Sequence, residues 1–298
     1  MLKYDFTFAD LAAKFLETND TGLLQQIADT EAAKHLFNHA NMARYNVPRD
    51  TPLDIVTHYL LAQKSPEKRK ALLPAFKANI EYAKENIVKN RTAEKIVLEY
   101  LPAGFEFSGS IFFTYGYDVG VAYDSNCSLN LDWFKHSKDE IKYYAIHEMH
   151  HAAFFEIRGN PKLSLDITTY QEAAKLIEMM THTEGMSTYA PLEIRMRQNA
   201  MDSDALGDYT TLQDAGLMAQ LEKEYFEIYF HFKNNPENTI SEEDWRKIFS
   251  MSGGGGKRHL YTVGAHMAGA IDKKLGRERL VNLIREPSAN FINAYLNI

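Results

Sequence analysis

The most constraining feature of this sequence is the stretch His147-Glu148-Met149-His150-His151, which contains the pattern H-E-x-x-H. On an α-helix, residues four apart lie about 40° apart around the axis, so the imidazoles of His147 and His151 can reach one ion. Glu148 lies beside this pair, close enough to contact a water on the ion without ligating it. Imidazole nitrogens suit zinc, and the pattern therefore predicts a Zn²⁺ site with a carboxylate next to it.

The residues around this pattern predict a long, buried helix from Asp139 to Ile157. The segment has no proline or glycine, carries acidic residues in its first turn, and stops at the sequence Arg-Gly-Asn-Pro of residues 158–161, which is typical of a helix C-terminus. Apolar residues occupy nearly all of its sides, which indicates a helix at the centre of a core. Buried histidines and a buried glutamate need partners, because an unpaired polar group is costly in an apolar interior. A metal ion would meet that need.

Length, composition and charge narrow the class of protein. A chain of 298 residues with a net charge of −7 can bury a sizeable core, as one large domain or two joined lobes. The acidic balance and the absence of a basic stripe argue against a nucleic-acid partner or an anionic membrane partner. The single cysteine, Cys127, excludes an internal disulfide framework. With no apolar run of transmembrane length and no signal-peptide pattern after Met1, we expect a cytoplasmic protein; export stays open if a leader precedes Met1.

Most of the chain has helical periodicity. The pattern of residues 5–103 predicts a run of helices. One of them begins at Thr51-Pro52, and a long one extends from Ser65 to about Val88. Residues after 161 read as helical again. The tetraglycine at 253–256 lacks the P-loop pattern and is interpreted as a flexible connection. Three histidines of the N-terminal helices lack an accompanying acidic motif and are interpreted as surface or satisfied core residues: His35, His39 and His58.

Residues 105–131 have a different pattern, rich in aromatic and β-branched residues with glycine and aspartate between them. This pattern predicts a small antiparallel sheet that leads directly into the H-E-x-x-H helix, with strands near 106–114, 118–123 and 128–132. Such a sheet either pairs with an extended peptide at its edge or only covers the helical core. Cys127 is predicted to be a small buried residue. We predict an α+β fold, predominantly α-helical, with a helical N-terminal lobe at 1–104 and a catalytic domain at 105–298.

A catalytic zinc site needs a third protein ligand. The continuation H-x-x-G-x-x-H is absent, because Phe154 and Ile157 stand where it requires glycine and histidine. The single cysteine also fits poorly as a ligand. A helix predicted over 167–184 has a buried stripe that, extended by seven residues from Ile177, reaches Glu184. A glutamate at a core position must be paired or metal-bound, so we predict Glu184 as the third ligand of a His₂Glu set.

Position around the helix separates Glu184 from its polar neighbours. Glu178 and His182 project to the opposite side of the helix. Gly185 follows Glu184 and would let another backbone approach closely. Thr188, one turn on, either supports the site or is an ordinary helix hydroxyl.

The stretch H-E-M-H-H followed by T-E-G-M-S-T-Y resembles the gluzincin class of zinc metallopeptidases, whose second motif is a glutamate on a helix. The run from Tyr261 to Met267 and the later stretch from Phe291 to Tyr295 are similar to a largely uncharacterised family of zinc-dependent peptidases within that class. The similarity covers roughly residues 105–298. The resemblance implies a mostly helical α+β fold with a short sheet and a zincin-like catalytic domain, and it says little about the substrate. We expect a peptide or protein substrate. The aminopeptidase signature G-A-M-E-N is absent, so nothing in the sequence favours an exopeptidase.

These residues together predict a zinc-dependent hydrolase of peptide bonds. Zn²⁺ would be held by His147, His151 and Glu184, and Glu148 would act as the general base. Two alternatives stay open, namely a zinc hydrolase of non-peptide amides or esters, and an inactive, metal-stabilised helical binding protein.

The reaction also needs a hydrogen-bond donor for the oxyanion. Tyr261 is the candidate, because it lies in the first turns of a predicted helix on the flank of its buried stripe. A tyrosine at the edge of the core is the alternative interpretation. His266 and His259 point away from that stripe and are weaker candidates, unless His259 lies outside the helix. His150 is more consistent with a packed, supporting residue.

Overall fold

The fold is α+β and predominantly helical, as the sequence predicts. The computed structural model describes residues 2–43, 46–61, 65–160, 165–252 and 257–298. Its helices and strands, in chain order, are β1 Lys3–Asp5, α1 Thr7–Thr18, α2 Gly22–Ala28, α3 Glu31–Met42, α4 Pro52–Leu61, α5 Pro66–Ala83 with a π-helical continuation Lys84–Lys89, α6 Thr92–Leu98, β2 Ser110–Thr114, β3 Gly120–Tyr123, β4 Asn126–Asn130, α7 Asp139–Ile157, α8 Tyr170–Tyr189, α9 Leu192–Arg197, α10 Asp208–Gln213, α11 Ala215–Lys233, α12 Glu242–Ser250, α13 His259–Leu275, α14 Arg277–Asn282 followed by the 3₁₀ turn Leu283–Arg285, and α15 Ala289–Leu296.

The chain forms two compact units, and the first contains the sheet. It comprises residues 1–97 and 104–163. The strand order is β1-β2-β4-β3, with β1 and β4 both parallel to β2, and β3 antiparallel to β4. The location of the sheet and the antiparallel pairing of β3 with β4 are therefore predicted correctly, but the expectation that the whole sheet is antiparallel is wrong, because β2 is parallel to both of its neighbours. After β2 the chain first forms β3 at the edge of the sheet and then turns back. The next strand, which contains the buried stretch Cys127–Asn130, therefore lies between β2 and β3 and is parallel to β2.

Helix α7 has the bounds that the sequence predicts and packs against β3 and β4. Its residues are buried on all sides over most of its length. Helix α5 fixes both the approach to α7 and its first turn. The Asn79 side chain donates to the Leu131 carbonyl (2.8 Å), and the Tyr82 hydroxyl donates to Asp139 Oδ1 (2.7 Å). The H-E-x-x-H segment is thus carried by a helix that is held at its start and along the sheet.

The second unit comprises residues 98–103 and 164–298 and is built from helices α8–α15. Helix α8 starts with a capping box in which Thr169 and Glu172 satisfy each other's backbone N–H groups. Helix α13 packs along α8. A Cβ atom on Gly185 would lie 2.4 Å from the Gly264 carbonyl carbon, so the two backbones are in direct contact. The close approach expected at Gly185 is confirmed, and it requires glycine on both helices.

Other expectations from the sequence have mixed outcomes. Cys127 is fully buried, as predicted. None of the helices in the described ranges has the length and apolar character needed to cross a bilayer. The tetraglycine at 253–256, interpreted as a flexible connection, lies outside the described residues. The domain division at residue 104 and the cytoplasmic location stay predictions.

The pH dependence of stability provides a test of the packing in the first unit. His35 on α3 is a buried core residue beside Phe112, and burial together with the neighbouring His39 lowers the pKa of His35 from 6.5 to about 3. The unfolded chain takes up a proton below about pH 6.5, whereas the folded chain does not until about pH 3. This contribution to stability is therefore complete above the unfolded pKa and is lost as the pH falls, by about 1.4 kcal/mol per pH unit.

We expect His35→Phe to weaken this dependence. Urea unfolding at pH 7, 6 and 5, with EDTA present to remove metal, should show a smaller loss of unfolding free energy per pH unit in the variant than in the wild type. Equal slopes would contradict a buried, neutral His35.

Candidate metal centre

The two histidines of the H-E-x-x-H pattern face each other on one side of α7. Their Nε2 atoms lie 2.9 Å apart, and the ring centroids are 4.6 Å apart. Two nitrogens bound to one zinc at roughly 2.0–2.1 Å in a tetrahedron would be separated by about 3.3 Å. His147 and His151 therefore converge on one point and fit a shared ion with only a small opening of the pair.

A zinc site of this kind also needs a carboxylate. Glu184, on α8 of the second unit, is the carboxylate that the sequence predicts as the third ligand. Two imidazoles and one carboxylate form the donor set of zinc sites that keep a fourth position for water or substrate. The residues present thus fit a zinc ion, while direct ligation by Glu184 stays a prediction.

Burial alone does not distinguish Glu184 from its neighbours on α8. Glu178, His182 and Glu184 are all at most 9% exposed. Glu178 accepts a hydrogen bond from the Lys233 ammonium at 2.6 Å, and the His182 ring stacks on Phe291. Because those two side chains have partners on other helices of the second unit, their burial is explained without a metal.

The Glu148 side chain lies against the backbone of strand β3. A Cβ atom on Gly120 would lie 2.6 Å from Glu148 Cγ and 2.7 Å from its carboxylate, so a side chain at this position would displace that of Glu148. Glu148 is 6% exposed. The pKa of the nearby Cys127 thiol is raised mainly by burial of the thiol itself and to a smaller extent by the charge of Glu148. Gly120 is not among the site residues predicted from the sequence, although a glycine inside a strand is a signal for close approach of another group.

The structure separates the two candidates for the oxyanion donor. Tyr261 lies in the first turn of α13 and is partly exposed, with the Arg258 guanidinium 3.7 Å from its ring centroid. His259 is the first residue of α13, is 3% exposed, and its Nε2 lies 3.2 Å from Glu224 Oε2. His259 therefore lies inside the helix and is engaged with Glu224, which leaves Tyr261 as the stronger candidate.

The residues considered as supports are buried. His150 on α7 is fully buried, and Thr188 on α8 is 1% exposed. The Thr188 carbonyl accepts a hydrogen bond from the Tyr209 hydroxyl at 3.1 Å, which ties α8 to α10. A direct role of Thr188 at the metal stays a prediction.

Comparison with known proteins gives one match. The sequence model of a family described as "Putative zinc dependent peptidase (DUF5700)" matches residues 23–298. The match extends further toward the N-terminus than the resemblance at 105–298, and it covers the helices that carry the candidate ligands. Neither a curated protein nor a solved structure matches the chain. The zincin-like arrangement therefore stays a prediction.

Zinc binding tests the assignment of the third ligand. We expect Glu184→Ala to lower zinc affinity by more than the roughly 10–100-fold that loss of a supporting residue costs, because a ligating carboxylate is removed. Metal analysis after dialysis against a zinc buffer measures the effect. Glu178→Gln is the matched control, because Glu178 is buried on the same helix but bound to Lys233. Full zinc occupancy in Glu184→Ala would mean that the ligand lies elsewhere.

Proposed function

We propose that this chain, which belongs to the zinc-dependent peptidase family that matches residues 23–298, is a metallopeptidase that hydrolyses peptide bonds with Glu148 as its general base. The observation that carries the proposal is the pair of His147 and His151 on α7, whose Nε2 atoms lie 2.9 Å apart, with Glu148 next to His147 in the same helix. With Glu184 as the proposed third ligand, the donor set leaves a coordination position for water, which a purely structural zinc site does not need.

His147, His151 and Glu184 would hold the metal. Zinc bound by this set supplies a water of lowered pKa and polarises the carbonyl of the substrate. The imidazoles would bind as neutral rings, and the carboxylate would offset part of the charge of the ion. His147 and His151 lie on one helix that packs against the sheet, so their donor atoms are largely pre-positioned relative to each other.

Glu148 would take the proton from the attacking water and deliver it to the leaving amine. Its position next to His147 in the helix brings its carboxylate close to the ion without ligating it. Contact with Gly120 restricts the side chain on the strand side, and burial to 6% exposure shields the carboxylate from bulk solvent. A carboxylate held in this way can transfer a proton between fixed positions.

Tyr261 would donate a hydrogen bond to the oxyanion that forms as water adds to the carbonyl. Its hydroxyl is a neutral donor at the first turn of α13, and the close contact between Gly185 and Gly264 fixes that helix against the one that carries Glu184. This arrangement is consistent with a donor that does not move during the reaction.

The sheet supports a peptide as the substrate class. Strand β3 is the edge strand on the β4 side, and its Gly120 is in contact with Glu148. An extended peptide that adds to this edge by main-chain hydrogen bonds would run past the proposed general base. A non-peptide amide or ester would gain nothing from such an edge, so the peptide is the favoured substrate.

The general base is tested by Glu148→Gln, which keeps the shape of the side chain but removes its ability to accept a proton. We expect a fall in kcat of about 10²–10⁴-fold with zinc content unchanged. Digests of a peptide library and of matched esters, analysed by mass spectrometry, measure turnover and distinguish peptidase from esterase activity. Unchanged turnover would contradict the general-base role.

The contact with the edge strand is tested by Gly120→Ala. The added methyl group would overlap the Glu148 side chain, so we expect kcat to fall about tenfold or more while zinc affinity stays within about twofold. Gly216→Ala is the control, because its Cβ would make only an ordinary 3.4 Å contact with Asp214. Full activity of Gly120→Ala would show that the position of Glu148 does not depend on this contact.

A further inference from the structure

We propose that Arg258, held by Asp208, is a positioning residue that fixes the Tyr261 ring for catalysis. This inference rests on the proposed function, because it assigns to Arg258 the orientation of the proposed oxyanion donor. It concerns only residues of the second unit, on helices α8, α10 and α13 and at the residue that precedes α13.

The guanidinium of Arg258 has contacts on its edge and on its face. Nε and Nη2 donate to the two carboxylate oxygens of Asp208 at 2.6 and 2.7 Å, which is a bidentate ion pair. The face of the same group lies over Tyr261, with Cζ 3.7 Å from the ring centroid. A planar group fixed at its edge by two hydrogen bonds can set the plane of an aromatic ring that stacks on it.

The ion pair is largely removed from solvent. The Arg258 and Asp208 side chains are 20% and 7% exposed. Burial lowers the pKa of Arg258, but the hydrogen bonds and charge of Asp208, with smaller contributions from Tyr261 and Glu184, more than reverse this effect and raise the pKa. The guanidinium therefore stays charged, whereas burial raises the pKa of Asp208 and the hydrogen bonds and charge of Arg258 offset this only in part.

The backbone of Arg258 is also fixed in its position. Arg258 has left-handed backbone angles, φ 50° and ψ 38°, which a residue with a side chain rarely adopts. Its carbonyl accepts hydrogen bonds from the N–H groups of Tyr261 (3.1 Å) and Thr262 (3.0 Å). Strained backbone at a candidate site suggests that the position of the side chain matters for function.

Asp208 is itself anchored to the helix that carries the third candidate ligand. Its backbone N–H donates to Asp204 Oδ2 at 3.0 Å. The next residue, Tyr209, donates its hydroxyl hydrogen to the Thr188 carbonyl on α8 at 3.1 Å. Hydrogen bonds thus connect the helix of Glu184 with α10, and the ion pair connects α10 with Arg258 and the ring of Tyr261.

A second Arg–Asp–Tyr arrangement in the same unit provides a matched control. Arg277 pairs with Asp272 at 2.6 Å, and its Cζ lies 4.0 Å from the Tyr100 ring centroid. Asp272 is eleven residues from Tyr261 on α13, about 16 Å along the helix axis. Substitution of Arg277 therefore removes the same kinds of contact without touching Tyr261.

The experiment compares Arg258→Lys, Arg277→Lys and Tyr261→Phe with the wild type, each loaded with zinc. Lysine keeps the charge but loses the planar, bidentate group. We expect Arg258→Lys to lower kcat about tenfold, with KM and zinc affinity within about twofold of the wild-type values. We expect Arg277→Lys to leave kcat unchanged and to lower the melting temperature by about as much as Arg258→Lys does.

A double-mutant cycle asks whether Arg258 acts through Tyr261. If it does, Arg258→Lys should lower kcat by less than twofold in a Tyr261→Phe background. A full tenfold effect in that background would overturn the proposal, because Arg258 would then act independently of the hydroxyl. An effect of Arg258→Lys confined to melting temperature would also overturn it.

A measurement without turnover separates this inference from the proposed function. The protein is labelled with 3-fluorotyrosine, and the ¹⁹F resonance of Tyr261 is assigned as the one that is missing from the spectrum of the Tyr261→Phe variant. Arg258→Lys should shift or broaden that resonance, and Arg277→Lys should not. An unchanged resonance would overturn the positioning role whatever the activity. A changed resonance in a zinc-loaded protein that cleaves no peptide would overturn the proposed function while leaving the orientation of Tyr261 by Arg258 intact.

Discussion

The structure depends on the free-energy cost of burying polar side chains that buried helices carry into the core. His151 and Glu148 are each 6% exposed on α7, and Glu184 is 9% exposed on α8. An apolar interior tolerates such groups only when they are hydrogen-bonded, ion-paired or bound to a metal. The proposed zinc site would satisfy that requirement and would at the same time supply the chemistry of the proposed hydrolase. On that proposal, stability and function place the same demand on these side chains.

Periodicity was sufficient to predict the helices that carry the site but not the pairing of the strands. The bounds of α7 follow from its unbroken helical pattern and the residues after Ile157, and Glu184 follows from the stripe on α8. The parallel pairing of β2 with β4 depends on contacts that are distant in sequence, so local patterns carry no information about it. Strand Lys3–Asp5 was missed because three residues are too few to show an alternating pattern.

Contacts between side chains were the least predictable part of the site. The contact between Gly120 and Glu148 and the pairing of Arg258 with Asp208 join residues that are 28 and 50 positions apart in the chain. A glycine inside a predicted strand signals a close approach but not which residue approaches, and no local pattern links Arg258 to Asp208. By contrast, the ligands could be selected because a metal imposes a fixed spacing on a helix. The spacing of a metal motif therefore predicts candidate ligands, whereas the contacts of Glu148 and Tyr261 become visible only in the structure.

The parallel pairing of β1 with β2 makes the first residues of the chain part of the sheet that packs against α7. Lys3, Tyr4 and Asp5 pair with Ser110–Phe112, although the family match begins only at residue 23. A fragment that starts at residue 105 would leave the N–H and C=O groups along this side of β2 unpaired, and open strand edges are templates for aggregation. For the same reason, an affinity tag is better attached after the exposed Ile298 than before β1.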